Sequence, residues 1–283
     1  MPAMISYSIN REDVVLAKVF SDVSLGFYVE VGANDPVEGS NTYHFYQKGW
    51  HGICLEPGTI CHKFAKARPR DISLNIAASD QAGELVFHEF PVGHALSSLH
   101  DRQPDVGAQF LTGKTTRKVR VEPLREIFAK HKPPGIDFMG IDVEGHERQV
   151  LLGNDWTQWR PKVLFLEATA EGRNTPGHHL WEDLVTSAGY KFAYFDGLNR
   201  FYVREESVEL VERFQPPCVF DNYKTLEELR KEEEIRCLRA DLQTFQESFQ
   251  IGRRSLKAGL AFAKVLHMAF GGKAPGSNGR KAA

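Results

Sequence analysis

The chain has 283 residues, 42% of them apolar and 25% charged, with a formal charge of −2 at pH 7. That is enough apolar material for one medium domain and an appendage, and the near-balanced charge removes any global case for a nucleic-acid partner. No apolar run reaches bilayer length and MPAMISYSINREDVVLAK lacks the basic and apolar regions of a signal peptide, so a cytoplasmic protein is expected.

Residues 8–20, SINREDVVLAKVF, put Val14, Leu16, Ala17 and Phe20 on a partly helical apolar face. Glu12 and Asp13 fall in its first turn, where acids suit the helix dipole. The next stretch, FYVEVGANDPVEGSNT at 27–42, is an apolar run that stops at Gly32. It reads as a buried parallel strand emptying into a loop, the place where ligands of open α/β sheets bind. Of a G-x-G-x-x-G phosphate loop only Gly32 is present, followed by Ala33, Asn34, Asp35 and Pro36, which disfavours a dinucleotide. Ser40, Asn41 and Thr42 offer caps to a helix carrying Tyr43, Phe45 and Tyr46, whose free N–H groups are expected to receive a cofactor carboxylate. In WHGICLEP a second strand ends at Glu56, roughly 20 residues past the first turn, where a carboxylate accepts from both hydroxyls of a ribose.

A helix through Ile60 to Ala67 leads into RPRDISLNIAASDQAG, expected to be a third strand closing on Ala77, Ala78, Ser79 and Asp80. The small residues leave room for a flat adenine, with Ser79 or Asp80 against its amino group. ELVFHEF reads as an extra strand. Residues 91–114, with Gly93, Ser97, Ser98, Gly107 and Gly113, lack periodicity and are expected to form a lid over the substrate. The strand KVRVEPL and the helix LREIFAKHK follow. IDFMGIDVEGHERQVLLG then repeats the first pattern, with Asp142 at the strand end, Gly145 at the turn and a helix from about His146. PKVLFLEATAEG repeats it once more, to Glu167. Strands alternating with helices predict a mostly parallel, doubly wound sheet with its strand-end acids on one edge. HHLWEDLVTSAGY is a helix stopped by Gly189, and KFAYFDGLNRFYV an antiparallel hairpin at the far edge. Cys54, Cys61, Cys218 and Cys237 lack C-x-x-C or zinc-like spacing and read as reduced thiols.

Taken in order, NREDVVL, GFYVEVGANDPVEGSNT, GWHGICLEP, RPRDISLNIAASDQAG, IDFMGIDVEGHERQVLLG, RPKVLFLEA and DGLNRFYV resemble the FkbM-type methyltransferases that use S-adenosylmethionine (SAM). The resemblance covers roughly residues 8–204. It implies a class I Rossmann-like fold, SAM as methyl donor and O-methylation of a hydroxyl, on bacterial glycan sugars or small secondary metabolites. Glu30 and Gly32 match the E-x-G opening of the first motif. The cofactor-binding set is then Glu30, Gly32, Ala33, Asn34, Asn41, Thr42, Glu56, Ala78, Ser79 and Asp80. An alcohol acceptor must lose its proton to a base, and Asp142, Glu144 and His146 form the candidate catalytic cluster. An unperturbed histidine titrates near neutrality, which suits His146 as the base, while Asp142 is placed to orient the acceptor or the cofactor ammonium. A divalent cation held by Asp142, Glu144 and Glu167 is a second, less favoured reading, and His178 and His179 read as a polar loop. The preferred acceptor is a sugar hydroxyl of a glycan or glycolipid precursor, ahead of a small metabolite. The rival class is a non-catalytic SAM-binding scaffold in glycan assembly. The missing glycines and the reversed hairpin disfavour an NAD-dependent oxidoreductase.

Pro216 and Pro217 mark an expected boundary between a methyltransferase domain (1–215) and a helical appendage (216–270), with a disordered tail at 271–283. Ile235, Leu238, Leu242, Phe245 and Phe249 recur at alternating three and four residues, a short heptad seam open to docking on the catalytic domain or to homo-oligomerisation. From Arg253 the composition turns basic, with Arg254, Lys257 and Lys264 among Leu260, Phe262, Val265, Leu266 and Phe270. Such a helix either lies peripherally on the inner membrane, near lipid-linked glycan intermediates, or buries its stripe on the protein.

Overall fold

The computed structural model describes residues 3–90, 96–101, 112–169, 175–218 and 220–270, in two compact units, Met1–Leu226 and Glu227–Ala283. The first half of the first unit contains β1 (Met4–Ser6), α1 (Glu12–Val19), β2 (Phe27–Val31), α2 (Tyr43–Gln47), β3 (His51–Leu55), α3 (Phe64–Ala67), β4 (Ile72–Leu74), β5 (Ala77–Ala78) and β6 (Gly83–Glu89). Its second half contains β7 (Thr115–Glu122), α4 (Leu124–His131), β8 (Phe138–Ile141), α5 (Glu147–Leu152), β9 (Val163–Glu167), α6 (Glu182–Ser187), β10 (Tyr190–Phe195), β11 (Asn199–Arg204) and β12 (Tyr223–Thr225). One long helix, α7 (Leu226–Phe270), carries the chain into the second unit.

A seven-stranded sheet of order β10-β11-β9-β8-β2-β3-β4 organises the first unit. The five strands from β9 to β4 pair in parallel, and β11 pairs antiparallel with both β9 and β10. Alternate residues sort onto two faces. Phe27, Val29 and Val31 of β2 pack with Leu124, Phe128, Val150 and Val185 of α4, α5 and α6. Tyr28 packs on the opposite side with Leu16, Phe45 and Phe64 of α1, α2 and α3. Helices cover both faces, so the central strands are apolar throughout rather than alternating. Val29 and Val31, at 0% and 1% exposure, each contribute roughly 1.5–3 kcal/mol by burial.

Three departures from the sequence reading have physical causes. The expected third strand divides: β4 joins the large sheet, whereas β5 joins β7 and β6 in a separate three-stranded sheet. Asn75 sits at the break, its amide donating to the carbonyls of Glu56, Pro57 and Gly58 and holding the chain against that loop rather than along β3. The compact unit runs past Pro216 and Pro217 to Leu226, because β12 pairs in parallel with β1. The acids of α1 are buried, not merely dipole partners. Asp13 accepts from the hydroxyls of Ser6 and Ser8 and the amide of Tyr7, fastening β1 to the helix. Of the lid expected at 91–114, only 96–101 and 112–114 are among the described residues, and the tail expected at 271–283 lies outside them. No described helix is long and apolar enough to cross a membrane.

Candidate active site

Strand register builds the site. Val31 of β2 pairs with Leu55 of β3 on one side and Ile141 of β8 on the other, and Ile141 pairs with Leu166 of β9. One residue further along each strand stand Gly32, Glu56, Asp142 and Glu167, side by side at the carboxyl edge of the sheet. Here the chain must turn tightly. Gly32 has φ +82°, and a Cβ there would lie 1.7 Å from the carbonyl oxygen of Asp142, so a side chain would force the two loops apart. The amides of Gly32 and Ala33 both donate to the Leu55 carbonyl, at 3.0 and 2.9 Å, which closes the turn against β3.

A cavity opens above this row. Glu30, Gly32, Ala33, Asn34, Asn41, Glu56, Ala78, Asp142 and Glu144 are on its wall, with Leu55, Ile76 and Phe87 supplying apolar surface. Ser97, Ser98 and Leu99, from the described part of the expected lid, also line it. The Ser98 hydroxyl donates to the Glu144 carbonyl at 2.8 Å, hooking that segment to the loop after β8.

Glu56 is buried and its oxygens are held apart by the backbone. Oε2 accepts from the Asn34 amide at 2.7 Å and Oε1 from the Gly58 amide at 2.5 Å. Burial raises its pKa while these two amides oppose the shift. Each oxygen keeps a lone pair for a further donor. Glu30, on the α2 face of β2, meets Arg68 instead, 3.9 Å from its Nη1. Arg68 is wholly buried. It donates to Asp71 at 2.7 Å, Thr42 Oγ1 at 2.7 Å, the Tyr28 hydroxyl at 2.9 Å and Ser40 Oγ at 3.1 Å. The Thr42 hydroxyl passes the connection on by donating to Glu30. Burial raises the Glu30 pKa and Arg68 pulls against it.

Asp142 and Glu167 have no such cation, although the Thr169 hydroxyl donates to Glu167 at 3.2 Å. Neither makes an ion pair among the described residues, and with Glu144 they bring carboxylate oxygens within 4.8 Å of one another. Burial raises both pKa values. Glu167 rises far more, because the charges of Asp142, Glu144 and Glu147 add to the burial. A hydrogen bond from Glu167 opposes the rise at Asp142, which leaves Glu167 the weaker acid of the two. The loop between them and α5 is pinned by Glu147, which accepts from the amides of Val143 and Gly145, and Glu144 adopts φ +53° to make the turn.

Several sequence candidates stand elsewhere. The N–H groups expected to receive a cofactor carboxylate are already used: Asn41 donates to Glu30, and Thr42 and Tyr43 donate to Ser40 Oγ. Thr42, Ser79, Asp80 and His146 are not on the cavity wall. Ser79 donates to Asp80 and lies 3.1 Å from His146 Nε2, while His146 Nδ1 lies 3.4 Å from His100 Nε2. Burial, reinforced by the neighbouring His100, lowers the His146 pKa to about 4, so the ring is neutral at pH 7. It links His100 to Ser79, just past β5, instead of facing the cleft. Sequence reasoning passed over Arg68 and Asn75. Their only signal was one of two arginines in Arg68-Pro69-Arg70 and a single Asn flanking the short β4 segment, a pattern shared with ordinary surface turns.

A mostly parallel α/β sheet with acids gathered over a cleft at its carboxyl edge belongs to the ligand-binding class of open α/β domains. Within that class the family is specific. Residues 30–192 match the family model of the methyltransferase FkbM domain, which covers more than half of the chain, and the chain belongs to that family. The match begins at Glu30 and takes in the whole row from Gly32 to Glu167. No curated protein matches the chain.

Proposed function

We propose that this protein is a SAM-dependent O-methyltransferase of the class I Rossmann-like type, acting on a hydroxyl of a sugar in a bacterial glycan or glycolipid precursor. The observation that carries this reading is the division of the strand-end row. Glu56 is a fixed, ionisable acceptor beside small and apolar residues, and Asp142 is an uncompensated carboxylate at the other end of the same cleft.

The residues fit a phosphate-free nucleoside. Glu56 retains acceptor capacity for a ribose diol, Ala77 and Ala78 with Ile76 and Phe87 offer an apolar slot for adenine, and Glu30 contributes a negative charge for an ammonium. When bound, SAM supplies a methyl group on a cationic sulfur. The chain's own work is to align the acceptor oxygen and to remove its proton. Asp142 accepts that proton on a carboxylate oxygen, its pKa having been raised toward neutrality. Glu167, protonated behind it, fixes the ionised member of the pair. Positioning by the cleft and the Ser97–Leu99 segment provides the rest of the acceleration.

A divalent cation on Asp142, Glu144 and Glu167 is the second reading, carried by the close approach of the three carboxylates. Full activity after exhaustive chelation would remove it. For the main reading, the protein is titrated calorimetrically with SAM, its demethylated product and NADH, then incubated with SAM and candidate glycan precursors. Heat with the SAM pair and a methylated sugar by mass spectrometry are expected. Tight NADH uptake without SAM binding overturns the assignment, and SAM binding with no product across acceptors points to the scaffold.

A further inference from the structure

The apolar side chains of α7 stand in solvent: Ile235, Leu238, Leu242, Phe245, Phe249 and Leu256 are between 47% and 68% exposed. They are not scattered. Successive spacings of three, four, three and four residues keep a mean period of 3.5 over two heptads, and Leu256 follows one heptad after Phe249, past Gly252 at the intervening d position. A straight α-helix drifts about 20° per heptad away from such a stripe, so the stripe stays continuous only when the helix supercoils around another helix.

We propose that α7 pairs in parallel with α7 of a second copy of this chain, making the protein a coiled-coil homodimer. With Ile235, Leu242, Phe249 and Leu256 at a and Leu238 and Phe245 at d, Glu234 occupies a g position and Arg239 the next e position. Parallel pairing sets g of one helix against the following e of the other. Glu234 of each helix then meets Arg239 of its mate, on both sides of the two-fold axis. An antiparallel pair sets g against g and e against e, and loses both attractions. Among the described residues, the ion pairs Lys231–Glu227 and Arg236–Glu233 within the helix involve neither of them. Ile at a followed by Leu at d favours two strands.

The same flanking residues argue against lipid as the occupant. Helices that lie on anionic membranes carry basic polar faces, whereas this seam is bordered by acids as well as bases, Glu232, Glu234 and Asp241 beside Arg239, and an acid-free basic run starts only at Arg253. The seam's two-copy pairing does not depend on which reaction the methyltransferase unit performs.

The test is sedimentation equilibrium of the full-length protein. Twice the chain mass is expected, falling to a single chain mass in Leu242→Asp, which places a charge in the seam. Glu234→Arg and Arg239→Glu each set like charges against each other twice and weaken the dimer about tenfold. Mixing these two variants restores attraction at both positions, so a mixed dimer forms at wild-type strength. A wild-type chain that remains single at all concentrations overturns the proposal, whether or not it floats with anionic phospholipid vesicles. A dimer indifferent to Leu242→Asp, or variants that do not recover on mixing, overturns it as well.

Discussion

On the β3 side of β2, Glu30 and Glu56 are buried carboxyls answered by fixed donors: a guanidinium, a threonine hydroxyl and three backbone amides. On the β8 side, Asp142 and Glu167 are half-buried and, apart from the Thr169 hydroxyl that donates to Glu167, are answered by each other and by more acids. Burial raises the pKa of all four, so burial alone does not separate their roles. The surroundings do. A carboxylate clamped between amides is a stationary acceptor, suited to holding a ligand, whereas a carboxyl pair sharing one proton is poised to exchange it.

The largest expected effect breaks the second half of that contrast. Asp142→Asn should lower kcat by about 10²–10⁴-fold, the usual worth of a general base, while binding of the demethylated cofactor product stays within about threefold. In the wild type, kcat should rise with pH along a limb lying above the ordinary carboxylate range, since the base must be ionised, and the variant should lose that limb. A fully active Asp142→Asn would erase the distinction.

Next comes the support of the first half. Arg68→Met leaves Glu30 and Asp71 buried without their cation and should cost about 3–5 kcal/mol in urea unfolding. Arg68→Lys should rescue little, because one ammonium cannot reach the four partners that the guanidinium fork spans. A loss below about 1 kcal/mol would mean the cluster is not a keystone. Glu56→Gln turns an amide donor toward the Asn34 or Gly58 N–H, so product affinity should fall roughly 10–100-fold, the scale of a lost charged hydrogen bond. Calorimetry showing unchanged affinity would sink the ribose assignment.

The smallest effect concerns proton linkage. The folded-state pKa of Glu167 is raised above its ordinary value near 4.5. Its stabilising contribution is therefore complete below that value and is lost as pH rises toward the folded pKa. Glu167→Gln cannot ionise, so it should be more stable than wild type at pH 8, with the gain shrinking toward pH 4. A difference that is flat across urea titrations at these pH values would refute the shared proton.

Much of this arrangement was legible beforehand, because apolar runs that stop at Gly32, Glu56, Asp142 and Glu167 state where parallel strands end. Register followed from the parallel pairing those runs imply. What a single chain could not display was the destination of polar groups across space. Nothing around Asn41 or Thr42 announced that Glu30 and Ser40 would consume the first amides of α2. His146 follows a strand-end acid in sequence, yet the αL turn at Glu144 and Gly145 turns it toward Ser79 instead of the cleft. The run from Ile76 to Ser79 reads as one strand with Ile72 to Leu74, and the side-chain bonds of Asn75 explain why it leaves the sheet.

The levelling of four strand ends also sets a rule for anyone remodelling this enzyme. A single inserted or deleted residue inside β2, β3, β8 or β9 would swing its terminal group to the reverse face of the sheet, removing one member of the row while leaving hydrophobicity and helix content nearly unchanged. Acceptor preference is therefore best varied in the loops above the cleft, and the lengths of these four strands left alone.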